Sequence, residues 1–347
     1  MTVLIYYKFI KLKNNNVVLY KSCFGGKCVN RNIIKLIMFM LILVVAVAGC
    51  GQKDTEEKTE MTTIKDEIGT EKIKKNPKRV VVLEYSFADY LAALDMKPVG
   101  IADDGSSKNI TKSVRDKIGE YESVGSRPQP NMEVISKLKP DLIIADVSRH
   151  KKIKSELSKI APTIMLVSGT GDYNANIEAF KTVSKAVGKE KEGEKRLEKH
   201  DKILAEIRKK IEQSTLKSAF AFGISRAGMF INNEDTFMGQ FLIKMGIQPE
   251  VTKDKTVHVG ERKGGPYIYL NNEELANINP KVMILATNGK TDKNRTKFID
   301  PAVWKSLKAV KDNKVYDVDR NKWLQSRGII ASESMAEDLE KIAEKAK

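Results

Sequence analysis

Five arginines stand where apolar runs give way to loops: Arg127 in Val124-Gly-Ser-Arg-Pro-Gln-Pro130, Arg149 after the run 141–146, Arg226 after the run ending at Ser225, and Arg320 and Arg327 on either side of Trp323. A planar guanidinium meets a carboxylate through two parallel hydrogen bonds, a geometry Lys does not match. In open α/β sheets, ligands sit in the crevice beyond the carboxyl ends of the strands. Arginines gathered at such ends are candidates for holding an anion that carries several carboxylates. Enzyme signatures are missing by comparison. There is no HExxH and no phosphate-binding glycine loop, and Gly223-Ile-Ser-Arg-Ala227 lacks the closing glycine of a G-x-S-x-G elbow. His150 follows a strand, His200 falls within a charged helix and His258 in a polar loop. They offer no converging set for a bare metal ion and no evident haem ligand. His200 is expected to be exposed and without a role.

The elements that must position these residues alternate. In the first half, Arg79-Val-Val-Val-Leu-Glu84, Asp141-Leu-Ile-Ile-Ala-Asp146 and Thr163-Ile-Met-Leu-Val167 read as buried strands, interleaved with helical patterns at 87–94, 132–138 and 153–160. The second half repeats the rhythm with a strand at 218–224, a helix at 238–244, strands at 282–286 and 314–318, and a last helix. Ser334 and Glu337 have capping-box spacing, which sets the expected start of that helix. Between the halves, 189–213 is charged on most sides, with Leu197, Ile203, Leu204, Ile207 and Ile211 at helical spacing. The expected fold is α/β: two doubly wound lobes, 61–188 and 214–347, joined by one long helix at 189–213. An internal echo supports two related lobes, because Asn131-Met-Glu-Val-Ile-Ser-Lys-Leu-Lys-Pro140 aligns with Asn271-Asn-Glu-Glu-Leu-Ala-Asn-Ile-Asn-Pro280, each followed by an apolar strand.

Upstream of the lobes, Arg31 and Lys35 precede an uncharged run, 36–49, that ends in Val47-Ala-Gly-Cys50. A basic segment, a short apolar core and small residues before a Cys form the layout of a lipoprotein signal, with cleavage before a diacylated Cys50. The run is shorter than the roughly 20 residues of a spanning helix. Residues 1–49 are therefore expected to be leader and signal peptide, 50–60 a solvated tether, and the protein to be exported and lipid-anchored on the outer face of the membrane. A misassigned start codon is the expected reason that residues 1–30 precede the basic segment, with a long leader as the alternative. The leader carries seven Lys or Arg and no Asp or Glu, so its removal lowers the formal charge from +16 to +9. Scattered Lys with no basic block and no aromatic ladder fits an anionic small ligand rather than nucleic acid. Cys23 and Cys28 lie upstream of the cleavage point, so neither a disulfide framework nor a thiolate metal site is expected.

With the lipobox, Lys78-Arg-Val-Val-Val-Leu-Glu-Tyr-Ser-Phe-Ala-Asp89, Pro98-Val-Gly-Ile-Ala-Asp-Asp104, Ser123-Val-Gly-Ser-Arg127, Leu138-Lys-Pro-Asp-Leu-Ile-Ile-Ala-Asp146, Gly264-Gly-Pro-Tyr267 and Val318-Asp-Arg-Asn-Lys-Trp-Leu-Gln-Ser-Arg327 in view, the chain resembles the iron-siderophore substrate-binding lipoproteins of Gram-positive bacteria. Within them it is most similar to receptors for ferric citrate and for the citrate-based siderophore staphyloferrin A. The resemblance covers nearly all of 61–347. It implies a monomeric binding protein that moves little on binding and delivers its ligand to an ABC transporter permease with its ATPase. It implies no cofactor, and iron coordinated by the siderophore rather than by the protein. Arg127, Arg320 and Arg327 match arginines of the family pocket, Arg226 falls where relatives carry a basic residue, and Tyr267 follows the Gly-Pro pair as it does there. Arg149, Asn232, Arg262 and Trp323 are secondary candidates.

The match departs in places. Asn109 and Gln325 stand where the staphyloferrin A receptor has arginines, and Asn232 where it has a histidine. Fewer cations favour a smaller or less anionic ligand, ferric citrate first. The resemblance also gives Glu133 and Glu273, one per lobe, a role in docking onto permease arginines. From their position alone they would serve as helix N-terminal glutamates that favour the dipole. The alternatives are a ferric hydroxamate or catecholate receptor with an aromatic-lined pocket, a secreted α/β hydrolase, and a bare-cation or haem receptor.

Overall fold

The described residues open with a hairpin, β1 (Met61–Asp66) and β2 (Gly69–Lys74). Five short strands follow: β3 (Val80–Val82), β4 (Gly100–Ile101), β5 (Glu122–Ser123), β6 (Leu142–Asp146) and β7 (Thr163–Leu166). They form a parallel sheet in the order β5-β4-β3-β6-β7. Because the order reverses between β3 and β6, the loops after these strands part and leave a crevice. The computed structural model describes residues 60–252, 261–262, 267–289 and 292–346, all within the unit Thr59–Lys347. The lipobox, Cys50, His258, Gly264-Gly-Pro266 and the side chain of Arg262 lie outside the described residues. Of the tether only Glu60 is described, paired with Lys75 at 2.6 Å.

The second sheet is built on β8 (Ser218–Ser225), with β9 (Gly228–Ile231), β10 (Gln248–Pro249), β11 (Glu261–Arg262), β12 (Ile268–Leu270), β13 (Met283–Thr287) and β14 (Val315–Asp319). Its order is β11-β12-β9-β8-β13-β14, with β10 beside the start of β8. β8, β13 and β14 are parallel, whereas β9, β12 and β11 form an antiparallel ribbon that adds to the doubly wound plan. This ribbon brings Phe230, Tyr267 and Tyr269 to one wall.

The echoed segments fold alike. Asn131 caps the helix Met132–Lys137, accepting from the N–H groups of Glu133 and Val134, and Asn271 caps Asn272–Ile278 in a capping box with Glu274. Each unit ends in a left-handed residue before its proline, Lys139 at φ 44° and Asn279 at φ 43°. The helical region is disfavoured for a residue before Pro, and the helices stop within one residue of equivalent places, at Lys137 and Ile278. Glu133 and Glu273 are exposed on the first turns of these helices.

Two long helices tie the lobes together. The helix Glu190–Glu212 runs between the sheets in sequence and buries Gly193, His200, Leu204, Ile207 and Ile211. His200 is thus a buried member of the apolar stripe rather than exposed. Its Nδ1 donates to Glu333 at 3.0 Å and its Nε2 meets the Tyr173 hydroxyl at 2.7 Å. The last helix spans Ile329–Lys345, so the start expected at Ser334 is five residues late, with Ser334 and Glu337 inside the helix. Its N-cap, Gly328, offers no side chain. The cap comes from the first lobe instead: Asp89, on the helix Tyr85–Ala93, accepts the N–H groups of Ile330 and Ala331 at 3.0 and 2.8 Å. A Cβ at Gly328 would lie 2.1 Å from the Asp89 carboxyl carbon, so only glycine admits this contact. Ile329 and Ile330 accordingly pack in the first-lobe core, while Met335, Ala336 and Leu339 pack in the second.

Candidate functional site

The carboxyl ends of both sheets contribute to one cavity of about 220 Å³ between the lobes. From the first lobe come Glu84 after β3, Arg127 after β5, Arg149 after β6, and Ser168 and Gly169 after β7. From the second come Ser225 at the end of β8, Phe230, Tyr267 and Tyr269 at the ribbon, and Arg320, Leu324, Gln325 and Arg327 after β14.

Arg127 is held from every side. Its guanidinium lies 2.8 Å from Asp104 and 3.5 Å from Glu84, donates to Gln325 Oε1 at 2.9 Å, and stacks 4.0 Å over the Tyr85 ring. Its backbone is fixed too. The N–H donates to Asp104 at 2.7 Å, and the carbonyl accepts from His150 Nε2 at 2.6 Å. The other ring nitrogen of His150 accepts the Asp146 N–H, which assigns the proton to Nε2 of a neutral ring. Burial pushes the His150 pKa below its usual value and keeps it so. Arg149 meets Glu84 at 2.5 Å.

The second-lobe cations are held differently. Arg327, 7% exposed, donates to the carbonyls of Ser168, Gly169 and Leu324 and to the Tyr267 hydroxyl. Arg320 donates to the Ile224 carbonyl at 3.4 Å. Neither makes an ion pair among the described residues. Burial lowers the Arg320 pKa. Asp292 works against this, while the nearby Arg127 and Arg226 add to it. Both arginines flank the turn Asn321–Gln325, where the N–H of Ser326 reaches back five residues to the Asn321 carbonyl. A wide turn of this kind re-aims side chains and is frequent at functional sites.

Four guanidiniums therefore line the cavity against one lining carboxylate, Glu84, with Asp104 on Arg127 and Asp292 acting on Arg320 from outside the lining, which leaves excess positive charge that suits a polyanion. Guanidiniums hold anions but do not ligate metals. Among the described residues, no group of three His, Cys, Asp or Glu is arranged to hold a metal ion.

Comparison with known proteins places this arrangement. Residues 80–321 match the family described as periplasmic binding protein. The chain belongs to the periplasmic-binding-protein family. Among its curated relatives, the Fe(3+)-citrate-binding protein YfmC of Bacillus subtilis is 39% identical, over 88% of this chain and 96% of that one. The Fe(3+) dicitrate-binding periplasmic protein FecB of Escherichia coli is 37% identical, over 81% of this chain and 89% of its own. Among solved structures, Staphylococcus aureus SirA complexed with staphyloferrin B is 30% identical with a TM-score of 0.67, covering 81% of this chain and 98% of that one.

In this periplasmic binding protein Arg127, Arg149, Arg320, Arg327 and Tyr267 line one cavity, and Gln325 joins them as a neutral partner of Arg127. Other candidates lie elsewhere. Trp323 is fully buried, donates from Nε1 to Asp338 at 2.9 Å and meets Phe241 edge-on. The wide turn that brings Arg320 and Arg327 to the cavity rotates the indole into the core. Asn232 is also buried and does not line the cavity, since its backbone continues the pairing with β8 through the Ala221 carbonyl. Arg226 is exposed beyond the cavity lining, near enough to Arg320 to perturb it. Glu84, Asp104, Phe230 and Tyr269 were not anticipated. A charged residue closing a buried strand run, as Glu84 closes Arg79-Val-Val-Val-Leu-Glu84, was the available signal.

Proposed function

We propose that this chain is the extracellular substrate-binding lipoprotein of an iron-uptake ABC transporter and that it captures ferric citrate or a closely related ferric polycarboxylate. The observation that carries this reading is the pair Arg320 and Arg327, cations with only neutral partners among the described residues. Citrate oxygens satisfy Fe(III), and the remaining carboxylate oxygens meet the guanidiniums bidentately. Tyr267, Tyr269 and Phe230 give the complex an aromatic wall of mutually tilted rings. No bond is made or broken in the protein. The relatives named for ferric citrate support the ligand class.

Cys50, diacylated after cleavage, would tether a monomer to the outer face of a Gram-positive membrane, with 50–60 as spacer. Glu133 and Glu273, exposed at equivalent places on the two lobes, would meet cationic residues of the permease. A transport assay tests this second role. Glu133→Ala with Glu273→Ala should abolish uptake while leaving ligand affinity unchanged.

Calorimetric titration tests the ligand, with ferric citrate, staphyloferrin A, a ferric hydroxamate, a ferric catecholate and iron-free citrate as probes. Sub-micromolar binding is expected for ferric citrate, corresponding to more than about 8 kcal/mol of binding free energy. Binding of the hydroxamate or catecholate alone would overturn the ligand and leave the transport role standing.

A further inference from the structure

Glu84 is a carboxylate inside a site built for anions. It occupies the N-cap position of Tyr85–Ala93 yet makes no capping bond, its side chain turned instead to the arginines. It is 1% exposed, with Arg149 Nε at 2.5 Å from one oxygen and Arg127 Nη1 at 3.5 Å from the other. A buried carboxylate is tolerated only while such partners compensate it. An anionic ligand in this cavity would claim the same two guanidiniums.

We propose that Glu84 is the internal counter-ion of the cleft: it positions Arg127 and Arg149 in the empty protein and takes a proton from solvent when an anionic ligand engages them, so that capture tightens as pH falls. This rests on the reading that the cavity binds a ferric polycarboxylate. The other groups facing Glu84 are Asp146, Arg327, Tyr85, Asp104 through Arg127, and His150 beside Asp146. Asp146 stays engaged with the N–H groups of Arg149 and Ser168. Asp104 stays on the Arg127 backbone N–H, and its pKa lies below the ordinary carboxylate range because bonds from Arg127 outweigh its burial. His150 is locked neutral between Asp146 N–H and the Arg127 carbonyl.

Glu84 is therefore the group with the least alternative support once the arginines turn to ligand. Burial already raises its pKa, opposed by Arg127 and Arg149, and a bound anion removes that opposition. Binding is then coupled to uptake of one proton. By linkage, affinity rises as pH falls, by up to about tenfold per pH unit. A ligand without carboxylates would leave Glu84 ionised and show no such coupling.

The test is calorimetry on the full-length chain with ferric citrate between about pH 5.5 and 8, in two buffers of different ionisation enthalpy, for wild type and Glu84→Gln. The ratio of the two affinities at each pH cancels the ligand's own titration. The expected result is an extra proton, up to one, taken up by wild type, and a Glu84→Gln advantage that grows with pH and vanishes in acid. Glu84→Asp, which keeps the charge, should retain the wild-type slope. A ratio independent of pH, with equal proton uptake, overturns this inference alone, whereas no binding by wild type at any pH overturns the ligand reading and the inference with it. If Glu84→Gln does not fold, infrared difference spectra of the 13C-labelled wild-type chain decide the matter. A protonated carboxyl band must appear as ligand is added, and its absence overturns the proposal.

Discussion

Where the two long helices meet, Glu333 takes both terminal nitrogens of Arg196, at 2.7 and 2.8 Å, and Nδ1 of His200, while in the cleft Arg320 and Arg327 rest on carbonyls and a phenol. Both clusters bury charge between the lobes. At the junction Arg196 has its carboxylate in Glu333, so this cluster needs nothing from outside and serves the fold. In the cleft the cations exceed their counter-charges, and the missing charge is supplied by a ligand. Incomplete compensation, rather than the presence of charge, distinguishes a binding site from a structural network. The two should respond to substitution in opposite ways.

The largest effect is expected in the cleft. Arg327→Ala should weaken ferric citrate binding by roughly a hundredfold, and Arg320→Ala by roughly tenfold, as loss of a charged hydrogen bond worth about 1.5 to 3 kcal/mol would do. Lys152→Ala, on the exposed surface, should leave affinity unchanged. Arg320→Ala should shift unfolding free energy by no more than about 0.5 kcal/mol, because it breaks no ion pair. Calorimetry and thermal melts on the same samples check both halves. A large stability loss with intact binding would reverse the comparison.

At the junction the signs exchange. Glu333→Gln should cost about 2 kcal/mol of stability, less than a fully buried pair because both side chains keep some exposure, and leave affinity within about twofold. Burial would raise the Glu333 carboxyl, but bonds from His200 and Arg196 outweigh it and hold the pKa at about 2, down from an ordinary 4.5. A lowered carboxylate pKa stabilises the fold above its ordinary value and loses that contribution as pH falls through the folded one. The stability gap between wild type and Glu333→Gln should therefore close between pH 4.5 and 2. A gap that persists at pH 2 would mean that the charge of Glu333 is not what the junction uses.

How much of this contrast the sequence disclosed depends on how far apart the partners lie. Arg127, Arg320 and Arg327 were legible because a strand end is a local feature, and the fold class because apolar runs alternate with helical stripes. Gly193, Leu197, His200, Leu204, Ile207 and Ile211 share one helical face, so the burial of His200 was also readable had the histidine been counted with the stripe. Trp323 misled because an aromatic between two arginines resembles a pocket wall until the wide turn is seen to rotate it inward. The cap on the last helix was invisible in its own neighbourhood, since Ser334 and Glu337 supply a local pattern whereas Asp89 acts from the other lobe. The pairing of Glu84 is not legible locally, because its partners Arg127 and Arg149 reach it from loops 43 and 65 residues away.

Asp89 sharpens the contrast, since it stands beside the compensated cluster as a buried carboxyl with no cationic partner in contact. Burial pushes its carboxyl up to about 7, against the pull of the N–H groups of Ile330 and Ala331 and the more distant Arg196. For an acid whose folded pKa is raised, the folded state holds the proton more tightly, so stability falls as pH rises from the ordinary value of 3.8 to about 7 and then levels. Asp89→Asn should remove this slope. Chemical denaturation at several pH values checks it, and an unchanged slope in the variant would assign the pH dependence to another group.

The smallest effects calibrate the rest. Asn131 and Asn271 cap equivalent helices on the two lobes without touching either charged cluster through their side chains, and truncation of a cap typically costs about 1 kcal/mol. Asn131→Ala removes an acceptor for two N–H groups, at 3.1 Å each. Asn271→Ala removes an acceptor at 2.9 Å, while the return bond from the Asn271 N–H to Glu274, at 2.6 Å, uses the backbone and survives. Asn131→Ala should therefore be the more costly of the two, by a few tenths of a kcal/mol. Neither should change affinity: Asn131 closes the loop that carries Arg127, but it does so through its backbone N–H to the Val124 carbonyl, which the alanine keeps, and Arg127 itself is fixed by Asp104 and His150. If either cap variant weakened binding as much as Arg320→Ala does, lobe stability rather than direct contact would govern capture, and the division between a compensated junction and an uncompensated cleft would fail.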